Sequence, residues 1–396
     1  MECFTSHLRC GLSGLPDSRR RSRRSLGYGT ANILPTFGKV LRTKPNLMRT
    51  AYTKIETETR MTNENDSDIA YIFVGADRSQ LLAVPVLEHS IRRHTSMNIK
   101  LRSMDDVVLP DPKDVRQGKR TGFSFTRFAI PQLMGYKGRA IYLDADMLVF
   151  RDFRELWNLP FNSAKIIIQE ELPDQAQKQD KPGALKKRVK QCSVMLLDCE
   201  ALSDWDPVKI IEGLDGKYTY QDLLYDMCIL DESEISYGVP FEWNSLEYYE
   251  AGKTGLIHWT DMNTQPWVYV NNPTGYLFLE EVRIMLENGS MKLSQIEDEV
   301  RLGYVRPSIL QELKDAGAGP VTAVTPEQVK RYEAIDAAAG FVKHKAVFQA
   351  ARERSAAVKA YEANLAKAKG PAASVAHAAS SGVIGTLRSL KRRLFR

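Results

Sequence analysis

The pattern of apolar and polar residues becomes regular near residue 69, where it predicts a strand, a helix and a second strand. The continuous apolar run IAYIFV (69–74) precedes the short loop GAD (75–77), which is typical of a buried strand that ends in a loop. In QLLAVPVLEHSIRRHT (80–95) apolar residues recur near helical spacing, and MNIKLRSM (97–104) alternates as a half-buried strand does. These segments predict a β-α-β unit.

The alternation of helices and strands continues further along the chain. FSFTRFAIPQLMGY (123–136) has a helix-like pattern, whereas AIYLD (140–144), AKIIIQE (164–170) and SVMLLD (193–198) predict strands. Strands that alternate with helices form a largely parallel sheet between helix layers. The fold class predicted is therefore α/β, with a mixed, mostly parallel sheet between helices.

Composition and periodicity divide the chain into three predicted regions. Residues 1–65 contain scattered Arg, Ser, Pro and Thr without a sustained period and are predicted to be disordered, with Met48 or Met61 as alternative starts. Residues 66–320 form the predicted α/β domain. Residues 321–396 are predicted to form a helical extension.

The predicted extension begins with a strong helix signal and ends with a basic segment. TPEQ (325–328) is a capping box with proline at the first helical position, and an Ala/Lys/Glu-rich helix is predicted from there to about Lys369. In the last segment, leucines share one helical face and basic residues occupy the rest. Such a helix could rest on an anionic membrane surface, although a solvated tail is the alternative.

Composition and charge exclude some classes of function. The 396 residues are 26% charged and 43% hydrophobic, and no apolar run approaches the about 18 residues of a spanning helix. The net charge is +6, but residues 1–60 carry +8 and the last eleven carry +5, which leaves −7 for the rest. A mildly acidic body argues against a nucleic-acid groove. With no apparent signal peptide and no CxxC pair, we expect a cytoplasmic protein, peripheral at the inner face of a membrane if the basic segment binds lipid.

Two acids at the end of a predicted strand are the first candidate for chemistry. In AIYLDADMLVFRD (140–152) an apolar run leads directly into Asp144 and Asp146, at the edge of the sheet where ligands of α/β proteins bind. The carboxylates could coordinate a divalent cation that holds a diphosphate. Alternatively, Asp144 could be the nucleophile of a phosphatase, or the pair could form a polar turn. The phosphatase hypothesis is the weaker one, because that motif belongs on the first strand of its fold.

Four segments in the same order resemble glycosyltransferase family 8, the group that includes glycogenin and bacterial galactosyltransferases. They are YIFVGADRSQLLAVPVLEHSIRRH (71–94), FTRFAIPQLMGYKGRAIYLDADMLVFRDFRELW (125–157), VPFEWNSL (239–246) and GLIHWTDMNTQPW (255–267). Together they cover roughly residues 68–270. The resemblance implies a GT-A fold, a nucleotide-sugar donor, Mn²⁺ (or Mg²⁺) as cofactor, and transfer with retention of anomeric configuration.

The resemblance also assigns roles to individual residues. It implies that Asp144, Asp146 and His258 are metal ligands. It implies catalytic roles near the donor sugar for Gln221 and Asp222. The residues that it implies for binding the nucleotide sugar are Ala76, Asp77, Arg127, Asp144, Ala145 and Gln265. Taken alone, Asp77 is more typical of a helix N-cap, and His258 of a core histidine.

Three of the motifs depart from the family pattern. Cys192 and Val194 stand where the family has Asn and Gly, and YQDLLY (220–225) lacks its first Asp and final Asn. Gln265 stands where a lysine holds the diphosphate, and Asp261 adds a negative charge nearby. An amide binds a diphosphate more weakly than an ammonium does.

Two functional hypotheses follow. The first is a metal-dependent glycosyltransferase that moves a sugar from a UDP-hexose donor to a glycan or lipid-linked acceptor, as in polysaccharide biosynthesis. The second is a catalytically silent GT-A module that binds nucleotide sugar or glycan; the altered motifs favour it.

Overall fold

The computed structural model describes residues 69–169 and 190–369. The basic N-terminal region predicted over 1–65 and the basic segment predicted near the C-terminus both lie outside these residues. No helix in the described part of the chain is long and apolar enough to cross a membrane.

Within residues 69–169 and 190–369, nine strands form two sheets. Their bounds are β1 Ile69–Gly75, β2 Asn98–Ser103, β3 Arg139–Asp144, β4 Met147–Val149, β5 Ile166–Gln169, β6 Gln191–Asp198, β7 Ile235–Val239, β8 Ser245–Leu246 and β9 Leu256–His258. The main sheet has the order β2-β1-β3-β6-β5-β7. Strand β1 is parallel to β2 and β3, and β7 is parallel to β5, whereas β6 is antiparallel to both of its neighbours. This sheet, with helices packed on it, confirms the predicted α/β class with a mixed, mostly parallel sheet.

A smaller sheet with the order β4-β9-β8 brings two distant segments together. Strand β9 runs antiparallel to β4, with Met147 opposite His258. Because β4 directly follows Asp146, this register places the end of β9 beside the two acids. The pairing of β4 and β9 thus joins two segments that are more than a hundred residues apart in the sequence.

The helices flank these sheets. Their bounds are α1 Ala83–Arg93, α2 Ile130–Leu133, α3 Arg154–Trp157, α4 Pro207–Glu212, α5 Tyr220–Leu224, α6 Gly275–Glu287, α7 Leu293–Arg301, α8 Ser308–Ala316, α9 Pro326–Ala338 and α10 Lys345–Lys369. Helix α1 buries the apolar face that its spacing predicts. Residues of β9, α6 and α8 share one apolar cluster with Leu82 and Val86.

The helix predicted over 123–136 is shorter than expected. A 3-10 turn at Thr126–Ala129 precedes the four-residue α2. The Thr126 hydroxyl donates to the Phe123 carbonyl, and Gly135 and Tyr136 have φ angles of 63° and 56°. Left-handed residues end a right-handed helix, so the segment stops there.

The single helix predicted from Thr325 to Lys369 is wrong. Its capping box is present, with the Thr325 hydroxyl accepting from the Gln328 amide at 3.3 Å, but the helix divides into α9 and α10. Gly340 and His344 between them have φ angles of 66° and 43°. The Ala/Lys/Glu composition conceals this break, because only the glycine signals it.

Arg306 links the segment after α7 to the loop that follows β9. Its side chain is 1% exposed, donates to the Pro266 carbonyl at 3.1 Å and to the Ser308 hydroxyl at 2.6 Å, and pairs with the buried Glu312. Ser308 in turn bonds Asp336 of α9. Helix α9 is therefore held to α8 by a buried polar network.

The domain boundary predicted at residue 320 stays a prediction.

We expect Arg306→Met to lower the free energy of unfolding by about 3–5 kcal/mol, because it leaves the buried Glu312 carboxylate unpaired. The double variant Arg306→Met/Glu312→Leu should recover much of this loss. Urea denaturation measures both. Arg301→Met, which removes an exposed pair with Asp298, is the matched control and should change little. Equal effects at positions 301 and 306 would contradict a stabilising buried pair.

Candidate metal centre

The two acids lie where the main sheet meets the small one. Asp144 is the last residue of β3 and lies opposite Gly75 in the register with β1. Asp146 follows after the buried Ala145, whose amide donates to the Gly75 carbonyl at 3.0 Å. The bend between β3 and β4 thus holds both carboxylates at the carboxyl edge of the sheet.

His258 completes a three-residue group at this edge. Its Nε2 lies 3.2 Å from Asp146 Oδ1 and 3.9 Å from Asp144 Oδ2. One ligand atom from each of the three residues lies within 4.8 Å of the others. The structure therefore brings together the three residues predicted to be metal ligands.

Asn244 fixes the tautomer of His258. Its Oδ1 lies 2.9 Å from His258 Nδ1, while its Nδ2 donates to Gln169 Oε1 at 3.0 Å and to Ser193 Oγ at 3.2 Å. With both donor hydrogens of the amide directed elsewhere, Oδ1 accepts the Nδ1 proton. Nε2 then presents a lone pair toward the carboxylates, which is the form that binds metals.

The residues present fit a divalent cation. Asp146 Oδ2 accepts from Gln265, whereas the buried Oδ1 accepts no hydrogen bond from the described residues and lies 3.2 Å from His258 Nε2. Carboxylates that are withdrawn from water are costly unless a cation or a proton compensates their charge. Two carboxylates and one imidazole suit Mn²⁺ or Mg²⁺, with the nitrogen favouring the former.

Asp144 is held by neighbours that were not all predicted. The Tyr142 hydroxyl donates to its Oδ1 at 2.6 Å, and Arg127 lies 3.8 Å from the same oxygen. Burial raises the pKa of Asp144, the charge of Asp146 adds to this, and Arg127 and His258 oppose it. Protons therefore compete with a cation for Asp144 at a higher pH than they would at an exposed carboxylate.

Arg127 is buried rather than on the surface. It donates to the Cys192 carbonyl at 2.7 Å and to the Tyr142 hydroxyl at 3.1 Å, and its guanidinium lies over the Tyr142 ring. The tyrosine packs against Gly75, where a Cβ atom would lie 2.1 Å from its hydroxyl oxygen. A glycine at position 75 is what allows Tyr142 to reach Asp144.

The residues predicted to contact the nucleoside lie at the end of β1. Ala76 is buried, and Asp77 caps the short 3-10 turn Arg78–Gln80 by accepting from the Ser79 amide at 2.9 Å and its hydroxyl at 2.6 Å. The N-cap alternative for Asp77 is thus observed, and its nucleotide role stays a prediction.

Gln221 and Asp222 lie in α5, and their observed contacts are local. Gln221 is exposed, and Asp222 forms a capping box with Thr219, whose amide and hydroxyl both donate to it at 2.9 Å. Their predicted catalytic roles stay predictions.

Gln265 and Asp261 have defined partners within the loop after β9. The Gln265 amide donates to Asp146 Oδ2 at 2.7 Å and to the Trp259 carbonyl at 3.2 Å. Asp261 accepts from the Asn263 amide at 3.0 Å, which is a turn contact. Gln265 thus supports a predicted metal ligand.

Several residues at this edge were not predicted as site residues. Tyr142 has a sequence signal, because it precedes Asp144 by two positions on one strand and so shares its face. Asn244 lies in the segment VPFEWNSL that supports the family resemblance. Gln80 lies 3.5 Å from Asp146 through its amide, and His344 of the extension bonds Ser79; neither has a signal in the sequence.

The chain is similar to known glycosyltransferases. The model of "Glycosyl transferase family 8" matches residues 86–196, which confirms the family resemblance found in the motifs. Among curated proteins, Protein CDI of Arabidopsis thaliana is 28% identical over 226 residues, which are 54% of this chain and 81% of that protein.

Solved structures that align with the chain include two glycosyltransferases at low identity. The bifunctional WbbM in its apo form aligns with a TM-score of 0.40 and 14% identity over 56% of this chain and 50% of its own. GlyE of Streptococcus pneumoniae TIGR4 aligns with a TM-score of 0.41 and 14% identity over 61% of this chain and 65% of its own. This chain thus spans half the length of WbbM and less than two thirds of GlyE.

We expect Asn244→Leu to weaken Mn²⁺ binding by about 10–100-fold, because His258 loses the acceptor that fixes its tautomer. Asn244→Asp, which keeps an acceptor for Nδ1, should bind within a fewfold of the wild type. Titration calorimetry measures both affinities. The exposed Asn158→Ala is the control. Wild-type affinity in Asn244→Leu would show that this contact does not orient the ligand.

Proposed function

We propose that the protein is a metal-dependent glycosyltransferase that moves a sugar from a UDP-hexose to a glycan or lipid-linked acceptor with retention of configuration. The observation that carries this proposal is the buried group of Asp144, Asp146 and His258. In it an unpartnered carboxylate oxygen faces an imidazole nitrogen whose tautomer is fixed by Asn244. The match to the family model supports the same activity.

In this proposal the chain's own residues hold the donor at the carboxyl edge of the sheet. Asp144, Asp146 and His258 would hold Mn²⁺, and the ion supplies Lewis-acid stabilisation of the departing diphosphate. Ala76 and Asp77 would contact the nucleoside, with Arg127 and Ala145 near the donor. Gln221 and Asp222 would shelter the positively charged sugar, and the acceptor would attack from the face that the diphosphate leaves.

The charge of Arg127 has a clear role in this arrangement. It lies 3.8 Å from Asp144 and is buried, so it opposes the rise in the pKa of Asp144 that burial causes. Arg127 therefore favours the ionised form of Asp144, which is the form that binds a cation.

A second candidate is a silent GT-A module that binds nucleotide sugar or glycan without turnover. The replacement of Asn and Gly by Cys192 and Val194 favours it, and so does the local capping contact of Asp222. Both candidates share the metal site and differ in the reaction alone.

The proposed location is the cytoplasm, at the inner face of a membrane. The basic amphipathic segment near the C-terminus supports this, because it carries five basic residues and no acid in its last eleven positions. At such a surface the protein would have access to a lipid-linked acceptor.

The test of the enzyme proposal is hydrolysis and transfer across a panel of nucleotide sugars, with and without Mn²⁺. We expect turnover of a UDP-hexose that requires the metal and falls at least about a hundredfold in Asp146→Ala, because several kcal/mol of charge stabilisation are lost. Asp298→Ala, at an exposed carboxylate, should retain activity. Metal-dependent binding without turnover of any donor would favour the silent module, and turnover that survives chelation would contradict the metal site.

A further inference from the structure

The connection between α9 and α10 returns to the edge of the sheet that holds the acids. His344 is 2% exposed, and its Nδ1 lies 3.1 Å from the Ser79 hydroxyl. That hydroxyl donates to Asp77, so His344 bonds directly to the capped turn at the end of β1. The negative charges of Asp77 and Asp146 act on the imidazole and oppose the lowering of its pKa by burial. The connection therefore lies beside the predicted donor site.

Lys343 lies against the loop that follows β9. Its ammonium donates to the Asn263 carbonyl at 2.9 Å and lies 3.6 Å from the centre of the Tyr269 ring. Gln265, two residues beyond that carbonyl, donates to Asp146. An ammonium carries three N–H groups, so it can donate to a ligand while it keeps its bond to the Asn263 carbonyl.

Buried polar atoms beside Asp146 lack partners within the described chain. Gln80 and Gln265 both direct their amide nitrogens at Asp146 Oδ2, while their Oε1 atoms accept no hydrogen bond from the described residues. Both side chains are at most 3% exposed. Such groups are costly unless a ligand or bound water satisfies them.

The backbone of the connection is held in an unfavourable conformation. His344 has a φ angle of 43°, which non-glycine residues adopt rarely. A residue in this region is strained, and surrounding contacts must offset the strain. The contacts with Ser79 and the T-shaped packing on Phe348 do so here. In this conformation His344 contacts the turn after β1, while Lys343 contacts the loop after β9.

The proposed donor site would need a further positive charge. If Asp144 and Asp146 held a divalent metal, their charges would balance its own, and the neutral Gln265 would add none to neutralise the diphosphate of a donor. Arg127 is committed to the Cys192 carbonyl and Tyr142. Lys343 reaches the loop that contains Gln265 from outside it. Arg306 also reaches this loop, but its guanidinium is buried and pairs with Glu312.

We propose that Lys343 binds the diphosphate of the donor, in place of the lysine that is missing at position 265, and that His344 positions it by anchoring the connection to Ser79. This inference rests on the proposed function. It makes the helical extension part of the donor site. Burial lowers the pKa of Lys343, and Asp261 is among the carboxylates that oppose this and favour its charged form.

The test compares Lys343→Met with Lys345→Met, which removes the same charge from an exposed position two residues away. Methionine keeps the apolar stem against Tyr269. The probes are UDP, uridine and inorganic pyrophosphate, each titrated by calorimetry in the presence of Mn²⁺. We expect Lys343→Met to weaken UDP and pyrophosphate binding about tenfold, because a charge-assisted hydrogen bond is lost, and to leave uridine unchanged. Lys343→Arg should restore most of the affinity, and thermal unfolding without ligand checks that the variants fold.

Equal affinities for UDP and pyrophosphate in the variants at 343 and 345 would overturn this inference while leaving the proposed function intact. Tighter binding in Lys343→Met would overturn it as well, because the connection would then obstruct the site. A wild-type protein that binds pyrophosphate with Mn²⁺ but no nucleotide sugar would instead contradict the proposed donor. In that case, the pyrophosphate affinities of Lys343→Met and Lys345→Met still test the role of Lys343.

Discussion

The burial of two carboxylates at one edge of the sheet is the constraint on which the rest of the site depends. A single residue separates Asp144 from Asp146. Burial removes much of the hydration of each carboxylate, so other groups must compensate for it. Tyr142 and Arg127 satisfy the first acid, and Gln265 satisfies one oxygen of the second. The other oxygen faces His258. Within the described residues this buried oxygen accepts no hydrogen bond, and a cation would bind there.

The sequence predicts the two acids of this site better than it predicts the residues that hold them in place. Strands β1, β2 and β3 have clear apolar patterns, and the DxD pair has its position at a strand end. The opposition of Met147 and His258 comes from the antiparallel pairing of β4 and β9, two strands of three residues each. Such short strands carry almost no periodic signal, so His258 could be identified only through the family resemblance.

Other parts of the site depend on tertiary contacts that local patterns do not encode. Asn244 and Gln80 are polar residues whose roles follow from their contacts, with His258 and Asp146 respectively. The break between α9 and α10 is a similar case, because the helix-forming composition on both sides predicts continuity. One altered motif position has a role in the fold that differs from the role its sequence context suggests. Gln265 looks like the loss of a diphosphate ligand, but in the fold it holds Asp146.

The contact between Ser79 and His344 joins residues that are 265 positions apart. Contacts of such long sequence separation form late, because the entropy of closing the intervening chain must be offset first. On a ribosome, the strands that carry the family motifs emerge well before His344 does. A nascent chain could therefore build the sheet and the acid pair while this edge is still open, and the edge closes only after His344 has emerged.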